Sequence, residues 1–490
     1  MTFAALAKIR HSRYGDLNSE ERKEMEEEKK LGLGNVISVS MGLVLATSCL
    51  VSLGQGAGEI GASFIISMVI ACVLNMFTML SLAELNALMP DITGGLAQYT
   101  LAAMGPFPTI IVMVGSTMVI SIVSSGAEAA IFAYAIGQVV PFDIPNIVWA
   151  IGVSLILMIL NLKGLDVFAK IQDFVAYLMV AVMLIMGLIG VLRLGTGTVV
   201  EQELVISGDA SSVIGMSAMA FWLFIGGEMV IPIAKDVKNA KRNVPLGMVL
   251  GLGIILIVQS VLILGFHNYV SWADLLNSPA PHMLYGAALL GKPGEWIMVI
   301  VASLALISTQ NSILHGGSEV FRGMSKMNLL PHAFAKQNKN GAPAFGIVFL
   351  TIGIIIFALL SQNSADAIDF FILVCSIFGM MSYLFSHIGV LVFRRKLPKA
   401  YRSFRVPTAV PVIGCIGLIY MTFNISPDPA EKLRILICAG GLFAVYAVYA
   451  SLWIKFKWKT KIFKSVPIEE VMAMEDDRYY QVRIVRGIWR

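Results

Sequence analysis

The chain has 490 residues, of which 57% are apolar and 14% are charged, and its mean hydropathy is +0.80. So little polar surface excludes an ordinary soluble globular protein and indicates that a lipid bilayer surrounds the chain. The net charge of +5 follows membrane topology and is no sign of nucleic-acid binding. The five cysteines lie singly in apolar runs, which argues against disulfides and a cysteine-based metal site.

The chain begins with a charged segment, over 1–32, which we expect to be a cytoplasmic tail without a cleavable signal peptide. Twelve apolar segments follow, each long enough to cross the hydrocarbon as a helix. We predict these spans at 33–53, 61–88, 106–138, 145–163, 168–193, 211–235, 244–268, 296–321, 344–361, 368–393, 407–425 and 433–455. A second tail is expected over 457–490.

The basic residues predict the orientation of these spans. With the amino terminus inside, 32 of the 36 Lys and Arg residues fall in the tails and the inner loops. The outer loops hold only Arg193, Lys292, Lys432 and Arg434. This bias places both termini in the cytoplasm and leaves no Lys or Arg for the middle of a span. We therefore predict a multi-pass protein of the cell membrane.

Two outer loops are long, at roughly 194–210 and 269–295. The second contains Trp272, Pro279, Pro281 and Pro293, and we expect short interfacial helices in it.

The sixth span carries two helix-breaking features at one depth. Gly226 and Gly227 each weaken a helix by about 1 kcal/mol, and the carboxylate of Glu228 follows them directly. A carboxylate in the middle of a bilayer needs a partner or a wet cavity. The combination is typical of a helix that is broken around a binding site.

The first span has a similar weak point between Gly42 and Ser48, where Val44, Ala46 and Thr47 also lie. On its own this stretch fits a normal helix whose hydroxyls bond to carbonyls one turn back. A second break five spans later favours a broken helix here too. An odd number of spans per unit makes the second unit an inverted copy of the first.

The third span places Ser121, Ser125 and Glu128 on one helical face, at positions i, i+4 and i+7. Serines alone would indicate a polar seam between helices, whereas Glu128 favours a stripe that faces the transport pathway. Trp222 precedes the sixth-span break by one turn. It is either a packing aromatic or a cover that holds a cationic substrate by cation–π attraction.

Other polar residues point to structure rather than chemistry. Glu84 and Glu319 lie near span ends, where a structural hydrogen bond or local pairing with Arg322 is the simplest interpretation. The histidines lack metal-ligand spacing, and no nucleotide-binding loop or hydrolase motif occurs. We therefore expect no metal, no cofactor and no enzymatic activity.

Three stretches resemble the signatures of the amino acid–polyamine–organocation permeases. They are AMAFWLFIGGEM with its exit AKDVKNAKRNVP, SLAELNALMPDITGGLAQY, and SEVFRGMSKMNLLPHAFAKQNKNGAP. They occur in the expected order, and the resemblance covers roughly 33–455. The sixth-span sequence is also similar to that of the arginine/agmatine exchanger.

The resemblance implies an all-α membrane fold of the LeuT type with broken helices 1 and 6. Its two inverted repeats would span 33–195 and 211–397, and two additional helices would follow over 406–456. It implies that Trp222 covers the substrate and that Ile225 and Gly226 offer backbone groups to it. The implied substrate-binding set is Val44, Ala46, Thr47, Ser48, Ser121, Ser125, Glu128, Trp222, Ile225, Gly226, Glu228, Thr309 and Ile313.

The sequence also departs from the family pattern. The first-span motif whose amides hold a substrate carboxylate corresponds to the stretch from Ala46 to Leu50, where two glycines are missing. The fifth-span lysine of proton-coupled members corresponds to a position near Met179, and the second aromatic of the arginine exchanger's eighth span to one near Ile313. The missing lysine favours exchange over proton-linked uptake.

We therefore predict a secondary transporter for an amino acid or a small organic amine. The alternatives are a transporter for amines that lack a carboxylate, an amino acid/amine antiporter and, from another class, a channel. A substrate that keeps its carboxylate would need the hydroxyls of Thr47 and Ser48, whereas Glu128 and Trp222 would suffice for an amine.

Overall fold

The computed structural model describes residues 31–42, 44–90, 94–140, 144–164, 167–204, 210–361, 365–462, 464 and 466–474. Over these residues the chain is helical, and its one β-type pairing is an isolated bridge between Leu31 and Val237. Most of the predicted amino-terminal tail and the end of the carboxy-terminal tail lie outside the described residues.

Seventeen helices are numbered here in chain order, with short π turns counted as part of the helix that contains them. They are α1 Leu33–Gly42, α2 Thr47–Ile60, α3 Phe64–Leu88, α4 Ala97–Met104, α5 Pro106–Val139, α6 Asn146–Leu162, α7 Val167–Val191, α8 Ala210–Trp222, α9 Ala240–Tyr269, α10 Trp272–Asn277, α11 Pro281–Leu290, α12 Lys292–Lys326, α13 Ala344–Ser361, α14 Ala365–Lys396, α15 Ala409–Phe423, α16 Pro429–Trp458 and α17 Ile468–Met474. Short 3-10 segments occur at Gly61–Ser63, Gly227–Asp236 and His332–Ala335.

The helices account for all twelve predicted spans. Among the described residues, nine helical stretches are long and apolar enough to cross a membrane, and α1, α6 and α15 are shorter apolar helices. Spans 7, 8 and 10 extend beyond their predicted ends, because helical backbone continues past the apolar core into the flanking polar residues. The protein is a multi-pass membrane protein with an all-α fold.

Span 1 is interrupted, as predicted, and each half has its own neighbours. α1 packs against α7, α9 and the Gly227–Asp236 segment, whereas α2 packs against α8, α10 and α11. We call the end of the molecule that holds Leu33 the α1 end, and the end that holds Ile60 the opposite end. Gly61, at a φ of 62°, then turns the chain directly from α2 into α3.

The broken spans lie at the centre of the bundle, and the last span lies at its edge. In span 6, over Ala210–Ala234, 72% of the apolar part is buried, whereas in α16 only 17% is buried. The exposed apolar side chains of α15 and α16, such as Ile416 and Val445, have the character expected for lipid contact. The centre is therefore where polar side chains have to find protein partners.

The loop at 269–295 holds two short helices, α10 and α11, which confirms the prediction of helices there. α10 packs along α2, and α11 contacts both α2 and α12. These helices cover the opposite end of the broken first span.

A buried ion cluster joins span 2 to span 10 and to the loop before span 11. Glu84 is 1% exposed and accepts hydrogen bonds from Arg394 Nε at 2.9 Å, Arg394 Nη2 at 2.6 Å and the Val406 amide at 2.9 Å. Arg402 Nε lies 3.5 Å from the same carboxylate. Glu319 pairs locally with Arg322 at 2.6 Å. Glu84 therefore makes structural hydrogen bonds and Glu319 pairs locally with Arg322, as expected, although the sequence did not identify the partners of Glu84.

Candidate functional site

The break in span 1 leaves the first amides of α2 without helical partners. α1 ends at Gly42, Val44 lies in a turn, and Ala46 is extended with φ −78° and ψ 153°. The first helical residues of α2 are Thr47 and Ser48, and both are fully buried. Amides at a helix start attract negative charge, because they combine free donors with the positive end of the helix dipole.

Glu128 from α5 fills this position. Its Oε2 accepts from the Thr47 amide at 2.6 Å and from the Thr47 hydroxyl, and its Oε1 accepts from the Ser48 amide at 2.8 Å. The side chain is 0% exposed. Glu128 of span 3 therefore binds the start of α2, at the break in span 1, through both of its carboxylate oxygens.

Trp222 brings span 6 to the same place. It is the last residue of α8, and its indole Nε1 donates to Ser48 Oγ at 3.3 Å. The Trp222 carbonyl also lies 3.9 Å from Cys49 Sγ. The end of α8 and the start of α2 thus meet. Ser48 contacts both Trp222 and Glu128.

The break in span 6 follows immediately. Residues 223–226 form turns, and Gly226 has a φ of 128°, which disfavours any residue with a Cβ. The chain then continues as the 3-10 segment Gly227–Asp236 instead of an α-helix. The predicted break at Gly226 and Gly227 is therefore present.

Glu228 has its own partners at this second break. Its carboxylate accepts from the Gly226 amide at 2.9 Å and from the hydroxyl of Tyr383 on α14. The Tyr383 oxygen also lies 3.5 Å from the Gly226 amide. Ile225 packs against span 10 as well, because a Cβ added to Gly379 would lie 2.8 Å from Ile225 Cδ1. Through these hydrogen bonds Glu228 connects the break in span 6 to span 10.

Spans 3 and 8 supply the remaining predicted site residues. α12 contains a π turn at Ile313–Gly317, and a Cβ on Gly317 would lie 3.6 Å from Ser121 Oγ. π turns inside α-helices are frequent at functional sites. The hydroxyls of Ser125 and Thr309 are buried and have no hydrogen-bond partner among the described residues. Ser308, next to Thr309, donates to the Gly42 carbonyl at 3.5 Å, which brings span 8 to the end of α1.

Hydrogen bonds join the broken spans to their neighbours at both ends of the molecule. At the α1 end, Asp173 of α7 accepts from Asn35 and Ser38, and the Tyr177 hydroxyl donates to the Gly34 carbonyl at 2.8 Å. At the opposite end, Gln55 Nε2 of α2 donates to Asp369 Oδ2 of α14 at 2.6 Å. We call the place where Thr47, Ser48, Glu128 and Trp222 meet the junction. Polar contacts thus flank the junction at both ends of the molecule.

Sequence reasoning missed four residues of this arrangement: Tyr383, Asp173, Gln55 and Asp369. Each is a polar residue in or beside an apolar run, and that signal was available in the sequence. Their partners lie more than 130 residues away in the chain, and no periodicity reveals such pairings. Within the described part of the chain, no group of three His, Cys, Asp or Glu residues is placed to hold a metal ion.

Comparison with known proteins identifies the family. The sequence matches the profile described as "Amino acid permease" over residues 31–450. The chain belongs to this family. It is therefore a transporter of the permease type, as the sequence signatures indicated.

Curated relatives of this permease cover most of its length. The human cystine/glutamate transporter is 23% identical over 485 residues, which is 93% of each chain. The putrescine transporter PotE of Haemophilus influenzae is 25% identical over 345 residues, which is 67% of this chain and 76% of that protein.

A solved structure supports the fold. The manganese transporter of Eremococcus coleocola superimposes on this permease with a TM-score of 0.56 and 15% identity, covering 90% of this chain and 97% of that one. A likeness at this identity shows that the two chains share a fold and says nothing about the solute.

Proposed function

We propose that this permease carries an amino acid or a small organic amine across the cell membrane by alternating access. The substrate would bind where the two broken spans meet, between the Glu128–Thr47–Ser48 contact and Trp222. We further propose that the repeats extend over 33–195 and 211–397, and that the α1 end faces the cytoplasm. The inner loops' excess of Lys and Arg supports this orientation.

The observation that carries this proposal is the meeting of two helix breaks around one buried carboxylate. Irregular backbone at membrane depth is tolerated only where it is buried in protein or lines a cavity. Here the freed amides of span 1 and the turn of span 6 are held by Glu128 and Glu228. Helices that served only to support the bundle would not need to be interrupted, and here two interrupted helices are in contact at their breaks.

The polar contacts at the two ends support alternating access rather than a channel. Asp173 holds α1 at one end, and Gln55 holds Asp369 at the other. Each contact joins a broken span to an unbroken one, so releasing one end while keeping the other would expose the junction to one side only. A channel needs both ends open at once.

We propose exchange as the mode of transport. The family resemblance places the fifth-span lysine of proton-coupled members near Met179, which is 1% exposed. An exchanger needs no titrating base at this position. Uptake linked to a proton would instead place the titrating group elsewhere, and Glu128 is a fully buried carboxylate at the proposed binding place.

Counterflow in proteoliposomes tests the function. Vesicles preloaded with an unlabelled amine or amino acid should accumulate the same labelled solute transiently above its equilibrium level, and Trp222→Ala should reduce that rate at least tenfold. Glu59→Gln, an exposed carboxylate on α2, is the matched control and should leave the rate unchanged. Flux without counterflow would indicate a channel, and a change in the solute's mass would indicate an enzyme.

A further inference from the structure

We infer that the solute is an organic amine that lacks a carboxylate, because Glu128 already occupies the place where a substrate carboxylate would bind. This inference rests on the proposed transport function and narrows its substrate class. An amino acid differs from its decarboxylated amine only by that carboxylate. The question is therefore whether the junction offers a carboxylate any donors.

The backbone amides at the junction, which are the donors that the start of α2 offers to an anion, are committed to the protein's own carboxylate. The Thr47 amide, the Thr47 hydroxyl and the Ser48 amide all bond to Glu128. The remaining hydroxyl, Ser48 Oγ, accepts the hydrogen bond from Trp222 Nε1. A substrate carboxylate entering here would have to displace Glu128 and leave it buried without its partners, which is costly for a charged group.

Two ionised carboxylates are unfavourable at this position. Like charges at hydrogen-bonding distance repel strongly in a site that excludes water. A cation, in contrast, would be attracted by Glu128 without disturbing its three hydrogen bonds, because a carboxylate offers about four lone-pair directions. The arrangement therefore disfavours a carboxylate and favours an ammonium or a guanidinium.

The described part of the chain offers Glu128 no cationic partner of the protein's own. Within the described residues, no Lys, Arg or His forms an ion pair with Glu128. The Lys and Arg residues fall outside the middle of the spans, so the bilayer interior holds few candidates for that role. A buried carboxylate without a counter-ion is expensive, and a cationic solute would supply the missing charge.

Two further side chains suit an amine at this place. Ser125 lies three residues before Glu128 on α5, is 0% exposed, and its Oγ has no hydrogen-bond partner among the described residues. Its oxygen can accept a hydrogen bond from an ammonium that also bonds to Glu128. Trp222, which contacts Ser48, is the aromatic best suited to a cation–π contact.

The test compares amino acids with their decarboxylated amines in binding to the purified full-length protein. The pairs are arginine and agmatine, lysine and cadaverine, ornithine and putrescine, tyrosine and tyramine, and histidine and histamine. In the wild type we expect at least one amine to bind at least tenfold more tightly than its amino acid. The inference is overturned if, in the pair whose members bind most tightly, the amino acid binds within tenfold of its amine or more tightly than it.

Glu128 variants sharpen the comparison. Glu128→Gln removes the negative charge and should weaken binding of the amine by about 100-fold or more. Glu128→Ala frees the amides of Thr47 and Ser48, so the preference within the pair should move toward the amino acid. Glu59→Gln should keep the wild-type preference. An unchanged preference in a folded Glu128→Ala protein would contradict the inference.

The two proposals fail in distinguishable ways. If an amino acid is bound and exchanged in preference to its amine, the transport function stands and the amine assignment is wrong. If no member of any pair is bound or exchanged, the transport function itself fails. If the Glu128 variants do not fold, the comparison of each pair in the wild type still decides between an amine and an amino acid.

Discussion

Gln55 Nε2 donates to Asp369 Oδ2 at 2.6 Å, which joins the second half of span 1 to the beginning of span 10. Both residues belong to a small cavity of about 60 Å³ at the opposite end of the molecule, lined by Val51, Gln55, Ala130, Ile131, Tyr134, Pro279, Ser361, Ile368 and Asp369. This contact ties a broken span to an unbroken one. It is therefore a natural place for the opposite end to open and close.

Gln55→Ala should favour opening at this end. A hydrogen bond to a carboxylate contributes about 1.5–3 kcal/mol, so its loss should raise the open population roughly tenfold or more. A thiol introduced as Val51→Cys, at a position that is 3% exposed, would report the change through its rate of modification by a membrane-impermeant reagent. Glu59→Ala on the same helix is the control. Equal rates with and without Gln55→Ala would show that this bond does not hold the end closed.

Asp173→Ala should release the α1 end. Asp173 accepts from both Asn35 and Ser38, so the substitution removes two hydrogen bonds that hold α1 against α7. A thiol at Ser40, which is fully buried on α1, should then react faster. Tyr177→Phe removes only one neutral hydrogen bond, about 1 kcal/mol, and should have a smaller effect. A larger effect of Tyr177→Phe would contradict this ranking.

Glu84→Gln should destabilise the fold strongly. The substitution leaves the guanidinium groups of Arg394 and Arg402 without their buried carboxylate, and breaking such a pair costs about 3–5 kcal/mol. A large fall in Tm in detergent would confirm it. Glu319→Gln is the matched control, because its pair with Arg322 is partly exposed and should contribute at most about 1 kcal/mol. Similar Tm values for the two variants would be the contrary result.

Gly226→Ala should impair both folding and transport. Its φ of 128° lies in a region that residues with a Cβ rarely adopt, and such strain costs about 1–3 kcal/mol. Gly215→Ala, on the same span, is the control, because no atom lies within 4 Å of its added Cβ. We expect that variant to keep wild-type counterflow and to gain up to about 1 kcal/mol in stability. Normal counterflow by Gly226→Ala would argue against a strained turn at the site.

The break in span 6 was predictable because it has a local cause. Gly226 and Gly227 with Glu228 weaken the helix within three positions, and the structure breaks there. The interruption of span 1 was also predicted within the right stretch, although no single residue there forces it. The extended residue at this break is an alanine, Ala46, and not a glycine. The position of that break follows from partners elsewhere, above all from Glu128.

The contacts of the site were not predictable from spacing. The sequence indicated that Glu128 faces the pathway, but its partners Thr47 and Ser48 lie about 80 residues earlier in the chain. Likewise, Glu228 was recognisable as an exceptional carboxylate, yet its partner Tyr383 lies on α14. Which helix faces which is decided by packing of the whole bundle, and a helical period fixes only the face of one helix.

We expect one small solute to bind where the two broken spans meet. A density map of the purified permease with the best-bound amine tests this most directly. We predict density for the amine in contact with Glu128 and next to Trp222, with the helical hydrogen bonds interrupted before Thr47 and before Gly227. Continuous helical hydrogen bonding through those two residues, or the amine bound elsewhere with the junction empty, would contradict the account.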